Sequence, residues 1–482
     1  MTVTSTDASL KPTPPQMNGL PVIGNVMEFM KDRTALLQRG YRQFGSIFSI
    51  KLGPKPVAVL FGEEAQEAFF AHTDKELRMD KAYGLLRASF GDIAFAAPPE
   101  TYFAQRHILH APFKGQMMAG YISIMNEEVQ KWLDGLGDSG EIDITNRLIP
   151  LIQNVAGHAI MGKEFHDRMG QEFWALYADI GKALDPVLPP NLPLPKFQRR
   201  DRAKAKMHEI LKPLIAERRA SPDQHDDMLQ VYATATYKDG RPVEDEVIIG
   251  IITALMFAGH ETTVGQTAWT ILELLRHPAY LAHLYSEVAQ VMPYAGKPVD
   301  ASTLMQLNYV RWAVDETTRL HPSADMIMRE ADSEIEIGNY RIPAGWLVLL
   351  SSTLAQQLPE TFRDPERFDP LRFAPDRAED KQHRFTITGF GGGVHKCAGM
   401  NFANNEMAII TAKLFQQYEL ELLSNDVQIT YTEGASRPKN AIVRYRRKPR
   451  AAIPVDVMAQ AVAAGCPHIS GQADQAAATS HN

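Results

Sequence analysis

Phe390-Gly391-Gly392-Gly393-Val394-His395-Lys396-Cys397-Ala398-Gly399 is the stretch that decides how this chain folds. A glycine-rich loop runs into a single cysteine, and an apolar helical pattern follows from about Met400 to Phe415. This order predicts that Cys397 stands on the first turn of that helix, where free backbone N–H groups and the positive dipole end stabilise a thiolate. The glycines clear side chains from the loop, so its backbone can approach something flat and large. Phe390 offers an aromatic face beside the sulfur. A lone thiolate in such a setting suits an axial ligand to haem iron. The plain alternative is a glycine-rich turn with Cys397 as a small buried hydrophobe. At ordinary residue frequencies a chance Phe-x-x-Gly-x-x-x-Cys-x-Gly arises on the order of once in a thousand such chains, which favours the ligand.

These ten residues resemble the haem-binding loop of the cytochrome P-450 family. The resemblance implies that Cys397 is the thiolate ligand of the iron and that Phe390, Gly391, Gly393 and Gly399 frame it. It also implies that His395 reaches a haem propionate.

Upstream, Val243 to His277 carries the longest helical pattern, ended by Pro278. Val247 to Phe257 is apolar on every side, which predicts burial all round. In its middle stands Ala258-Gly259-His260-Glu261-Thr262-Thr263, polar where burial of polar groups is costly. Taken alone, this is either a packing notch, with Thr262 bonded to its own backbone, or a proton relay of hydroxyl and carboxylate. It resembles the oxygen-activating helix of the same family. That implies catalytic roles for Thr262 and Glu261, with Ala258 and Gly259 lying against the haem.

Trp312 to Leu320 reads as a further helix, with Glu316 and Arg319 three apart on one face. The pair resembles the family's Glu-x-x-Arg element, which implies a buried structural triad completed by Arg367. Tyr102 and Arg106, four apart on a predicted helix, match positions that face a propionate, although Tyr102 replaces the more usual tryptophan. Tyr83, Phe90, Gly91 and Arg329 resemble the corresponding residues of sterol 14α-demethylases, Arg329 as a second propionate partner. The predicted substrate pocket comprises Leu86, Phe90, Phe95, Met256, Ala258, Met326 and Met328. The chain departs from sterol 14α-demethylases at Glu261, where they carry histidine, at Ala88, where they carry proline, and near Ala97, where they carry an acid.

Composition agrees with an ordinary globular protein: 482 residues, 45% apolar and 22% charged. Fifty basic against fifty-seven acidic residues give 50 − 57 = −7, so no basic surface points to nucleic acid. The two cysteines, Cys397 and Cys466, build neither a disulfide framework nor a zinc cluster. Residues 1–16 hold no apolar run of signal or membrane type, so a cytoplasmic, bacterial-type enzyme without a membrane anchor is expected. Three segments are expected: a disordered 1–13, one haem domain over 14–447 and a flexible tail over 448–482. Pro186 to Pro195 is a proline-dense break between helices, and Phe197 to Ala220 is basic enough to predict a solvated helix.

The expected fold is mostly α-helical with a minor β lobe, the haem lying between the long helix and the cysteine loop. The resemblance implies a monooxygenase with haem b, O₂ as co-substrate and electrons ultimately from NAD(P)H. No iron–sulfur spacing or flavin motif occurs in the chain, so a separate ferredoxin or flavodoxin-type donor with its reductase is expected. The expected substrate is a bulky lipophilic molecule, sterol- or terpenoid-like, hydroxylated without committed demethylation. The rivals are a true sterol 14α-demethylase, a fatty-acid hydroxylase, a peroxide-using enzyme, and a non-catalytic haem sensor or carrier.

Overall fold

The computed structural model describes residues 10–449 except 186–187, 223, 294–296 and 433. Cys466 and nearly all of the predicted tail lie outside the described residues. The architecture is the expected one, a helical body with a small β lobe. Leu10 to Thr13, expected to be disordered, are partly tied down. Lys11 Nζ donates to the Gly338 carbonyl at 3.0 Å, and the Arg341 amide donates to the Pro12 carbonyl at 3.0 Å.

The long helix runs Asp245–Arg276. At 1.5 Å per residue its 32 residues span about 48 Å. Asp245 and Glu246 complement its positive end and Arg276 its negative end. Most residues from Ile248 to Leu274 are buried, because helices Ile144–Met161, Asn308–Leu320 and Met400–Gln417 pack around it, while Ala258, Gly259 and Thr262 open onto a cavity. Among the described residues this is the one helix long and apolar enough to cross a bilayer, and 67% of its most apolar window is buried inside the protein. Gly265 has a packing reason: a Cβ there would stand 2.3 Å from the Ser436 carbonyl oxygen. Its absence lets the strand Ala435–Lys439 cross the helix and carries Arg437 to Glu261.

The β lobe is a five-stranded sheet in the order Ile47–Leu52, Lys55–Leu60, Leu347–Ser351, Met326–Ala331, Leu77–Arg78. Its first two strands form a hairpin that pairs Ile47 with Leu60 through Leu52 with Lys55. Ile335–Ile337 pairs with Tyr340–Ile342 as a separate two-stranded ribbon, while Leu347–Ser351 joins the main sheet. The basic helix Pro195–Ala220 is not wholly solvated: Phe197, Met207, Leu211 and Ile215 line a buried stripe.

Beneath the sheet, Glu316 and Arg319 are both fully buried and paired twice, Nε to Oε2 at 2.7 Å and Nη2 to Oε1 at 2.8 Å. The second arginine is Arg372, not Arg367. Arg372 Nε lies 3.1 Å from Glu316 Oε1 and its Nη1 lies 2.9 Å from Glu379. Arg367 points its side chain outward to the Tyr280 hydroxyl and gives the cluster only its carbonyl, which accepts from Arg319 and Arg372. The physical reason is the turn at Asp369: its amide donates to Glu316 at 2.8 Å, and the short 3-10 helix Pro370–Phe373 then aims Arg372 inward.

Candidate active site

Between the long helix and the cysteine loop lies a cavity of about 400 Å³. Its floor is Gly389 to Gly392 and His395 to Gly399, without Gly393, continued by Phe402, Ala403, Glu406 and Met407 of the next helix. Ala258, Gly259, Thr262 and Gln266 form one wall, Ser323, Ala324, Met326, Ile327 and Arg329 another, and Tyr83, Ala94 and Phe95 the roof.

The loop takes its shape from two glycines at positive φ, Gly391 (71°) and Gly393 (61°), a region costly for side-chain-bearing residues. The Cys397 amide donates to the Phe390 carbonyl at 2.9 Å, closing the loop on itself. Cys397 does not stand on the first helical turn as predicted. The helix begins at Met400, and Gly399 takes the cap position. The sulfur is open to the cavity but shielded from bulk water. That burial pushes the thiol up, opposed by the Gly399 amide and the Lys396 charge. A thiol so placed becomes a thiolate most readily when a metal cation meets it.

The donor set around the cavity points the same way. Arg329 is 1% exposed and forms no ion pair among the described residues. It donates to the Met328 carbonyl at 2.7 Å and to Thr73 Oγ1 at 3.3 Å, and it lies over the Phe69 ring. Burial lowers its pKa. A buried guanidinium that faces a cavity and has no carboxylate bonded to it among the described residues calls for an anionic ligand. His395, which also lines the cavity, has its Nε2 2.6 Å from Asp74 Oδ2 and its ring against Tyr102. Tyr102 donates its hydroxyl to the Val394 carbonyl at 2.8 Å, and Tyr83 accepts from the Met328 amide at 3.2 Å. Arg106 is exposed behind the loop, 3.4 Å from the Val394 carbonyl, and lines no part of the cavity.

The acid–alcohol pair is split. Thr262 faces the cavity and donates to the Ala258 carbonyl at 2.7 Å, the backbone bond that the packing-notch alternative expects. Glu261 lies on the opposite side, where Arg437 Nη1 donates to its Oε2 at 2.8 Å. One position of difference turns a side chain by about 100° around a helix, which here takes Glu261 to Arg437 and out of the cavity that Thr262 lines. Of the predicted pocket residues, Phe95, Ala258 and Met326 line the cavity. Leu86, Phe90 and Met256 belong to the apolar core, Phe90 lying against Phe257 at 5.0 Å, and Met328, without lining the cavity, packs with Met326 on a second apolar cluster. Asp74 and Glu406 were missed from sequence. Glu406 is buried with Oε1 unbonded among the described residues, and burial pushes its carboxyl up to about 8. Its only sequence signal was an acid inside an apolar helix.

The family model for cytochrome P450 matches residues 14–444. The chain belongs to the cytochrome P450 family. It is 34% identical over 456 residues to a sterol 14alpha-demethylase of Mycolicibacterium vanbaalenii, covering 92% of this chain and 99% of that one. It is 31% identical over 455 residues to a sterol 14-demethylase of Arabidopsis thaliana, covering 92% and 93%. Among solved structures it resembles a retinoic acid-bound cyanobacterial P450, CYP120A1, at TM-score 0.78 and 26% identity, over 91% of this chain and all of that one. The haem domain of cytochrome P450DA matches at TM-score 0.81 and 22% identity, over 92% of this chain and all of that one, a likeness of fold. This P450 is therefore a haem monooxygenase using O₂ and NAD(P)H-derived electrons through a redox partner.

Proposed function

We propose that this P450 hydroxylates a sterol-like lipid. The observation that carries the proposal is the apolar lining of the cavity: Phe95, Leu109, Ile152, Ile160 and Met228 share it with Cys397 and Thr262. Such a space suits a rigid apolar skeleton, whose burial is worth roughly 25 cal/mol per Å². The sterol demethylases among its relatives support the same class of substrate. Single hydroxylation is favoured over full demethylation because Glu261 stands where those enzymes carry histidine. The test is a reconstituted turnover with NADPH, a ferredoxin and its reductase, offered lanosterol-type sterols. A hydroxysterol product is expected; efficient 14α-demethylation would overturn the single-step reading, and no spectral shift with any sterol or terpenoid would overturn the lipid class. We further propose a cytoplasmic enzyme served by a ferredoxin or flavodoxin-type donor.

Within the site, Cys397 holds the iron, and Arg329 and His395 take the propionates. Bound haem supplies the oxygen-activating metal. Thr262 turns its hydroxyl from the Ala258 carbonyl toward the cavity and passes a proton there. Glu261 replenishes that proton only after parting from Arg437. Proton transfer by a positioned side chain contributes roughly 10²–10⁴-fold. The Thr262→Ala variant is therefore expected to form product about a hundredfold more slowly while NADPH consumption and peroxide release continue. Unchanged product per NADPH would remove Thr262 from the relay.

Arg329→Ala tests the anion partner. A hydrogen bond to a charged group contributes about 1.5–3 kcal/mol, so haem should leave the variant some ten- to hundredfold faster when captured by a haem-scavenging protein. Equal release rates would show that Arg329 serves the sheet alone.

A further inference from the structure

Far from the cysteine loop, three helices bring four side chains together at one junction. Glu128 comes from the helix Gly115–Asp134, His158 from Ile144–Met161, and His166 and Asp167 from the start of Lys163–Gly181. Gly162, at φ 82°, makes the sharp turn that folds the last of these back on the second.

Glu128 and His158 are both buried, with His158 Nδ1 3.3 Å from Glu128 Oε1. Lys131 also holds that carboxylate, 2.8 Å from the same oxygen. A carboxylate behind one ring nitrogen orients the imidazole, the arrangement seen behind metal-bound histidines. His158 Nε2 is hydrogen-bonded to Asp167 Oδ1 at 3.4 Å. A proton on Nε2 or a cation held against both atoms joins this pair. For bonds of about 2.0–2.1 Å, the edge of a tetrahedron around zinc is about 3.3–3.4 Å, which is the spacing found.

His166 supplies the third donor. Its ring sits 4.3 Å from that of His158, and one ligand atom from each of His158, His166 and Asp167 lies within 4.8 Å of the others. His166 Nδ1 is buried with no hydrogen-bond partner among the described residues. Space for the ring exists because Gly157 and Gly170 lack side chains: a Cβ on either would stand 2.3 or 2.9 Å from that nitrogen.

We propose that His158, His166 and Asp167 form a zinc site with Glu128 behind it, water completing the fourth position. Two imidazoles and a carboxylate are donors of the type zinc accepts. The site joins the helix whose Ile152, Ala156 and Ile160 line the active-site cavity to the helix after it, so the metal acts as a staple at that junction.

The haem-loaded enzyme, stripped of loose metal by a chelator, is dialysed against zinc chloride and analysed for zinc and iron. One zinc per haem iron is expected, with affinity at least about tenfold weaker in His166→Ala and in Asp167→Ala, and about 10–100-fold weaker in Glu128→Gln. His166 and Asp167 lie at the rim of the cluster, and an unaltered carbon monoxide difference spectrum verifies that each variant is folded. Failure of the native protein to bind zinc at micromolar levels, or equal binding by all four proteins, would overturn the site. Neither result touches the proposed lipid oxidation, which is read from product formation.

Discussion

Cys397→Ser is expected to abolish the red-shifted Soret band of the reduced, carbon monoxide-bound protein and to reduce hydroxylation to background. No other described cysteine can take its place, because Cys397 is the one thiol that the structure brings to the cavity. Its loop is closed by the Phe390 carbonyl and shaped by glycines at positive φ, so serine should fit without unfolding the loop. What changes is the donor: an alcohol neither ionises near neutrality nor pushes electron density onto iron as a thiolate does. A variant that retains the shifted band would displace Cys397 as the ligand.

Removing Glu316 should have the largest effect on stability. Its carboxylate is the common partner of Arg319 and Arg372, each no more than 1% exposed. Breaking a buried ion group by deleting one partner costs about 3–5 kcal/mol, comparable to a large share of the stability of a whole domain. Glu316→Ala should therefore yield little haem-loaded protein. Arg372→Ala should behave similarly, whereas Arg367→Ala should change stability by about 0.5 kcal/mol or less, as expected of an exposed side chain. Denaturant midpoints of the three variants separate these cases. Equal midpoints for Arg367→Ala and Arg372→Ala would refute the assignment of the second arginine.

Much of the fold was legible because the decisive signals are local. Apolar character on every side from Val247 to Phe257 reads as a buried helix, and Pro278 ends the pattern. Ile47–Leu52 and Lys55–Leu60 are short apolar-rich runs joined by a tight turn, and the structure pairs them in register with their centres buried on both faces. The cysteine loop was legible because few chemistries require glycines, an aromatic ring and one thiol in that order.

The misreadings share one cause: a side chain's partner is set by elements distant in sequence. Glu261 and Thr262 are adjacent in the chain, yet helix geometry divides them, and Arg437, 176 positions away, holds the carboxylate. Arg367 and Arg372 are equivalent as letters; the Asp369 turn and its bond to Glu316 decide which one enters the core. The missing anion partner of Arg329, the Asp74 bond to His395 and the cluster at His158 arise only when sheet and helices have packed. By itself, then, the sequence determined the helical body, its β lobe and the thiolate loop, because periodicity and backbone freedom act over a few residues. Tertiary structure alone decided which charges meet and which side chains face the cavity, because Coulombic and hydrogen-bond partners are chosen by proximity in space.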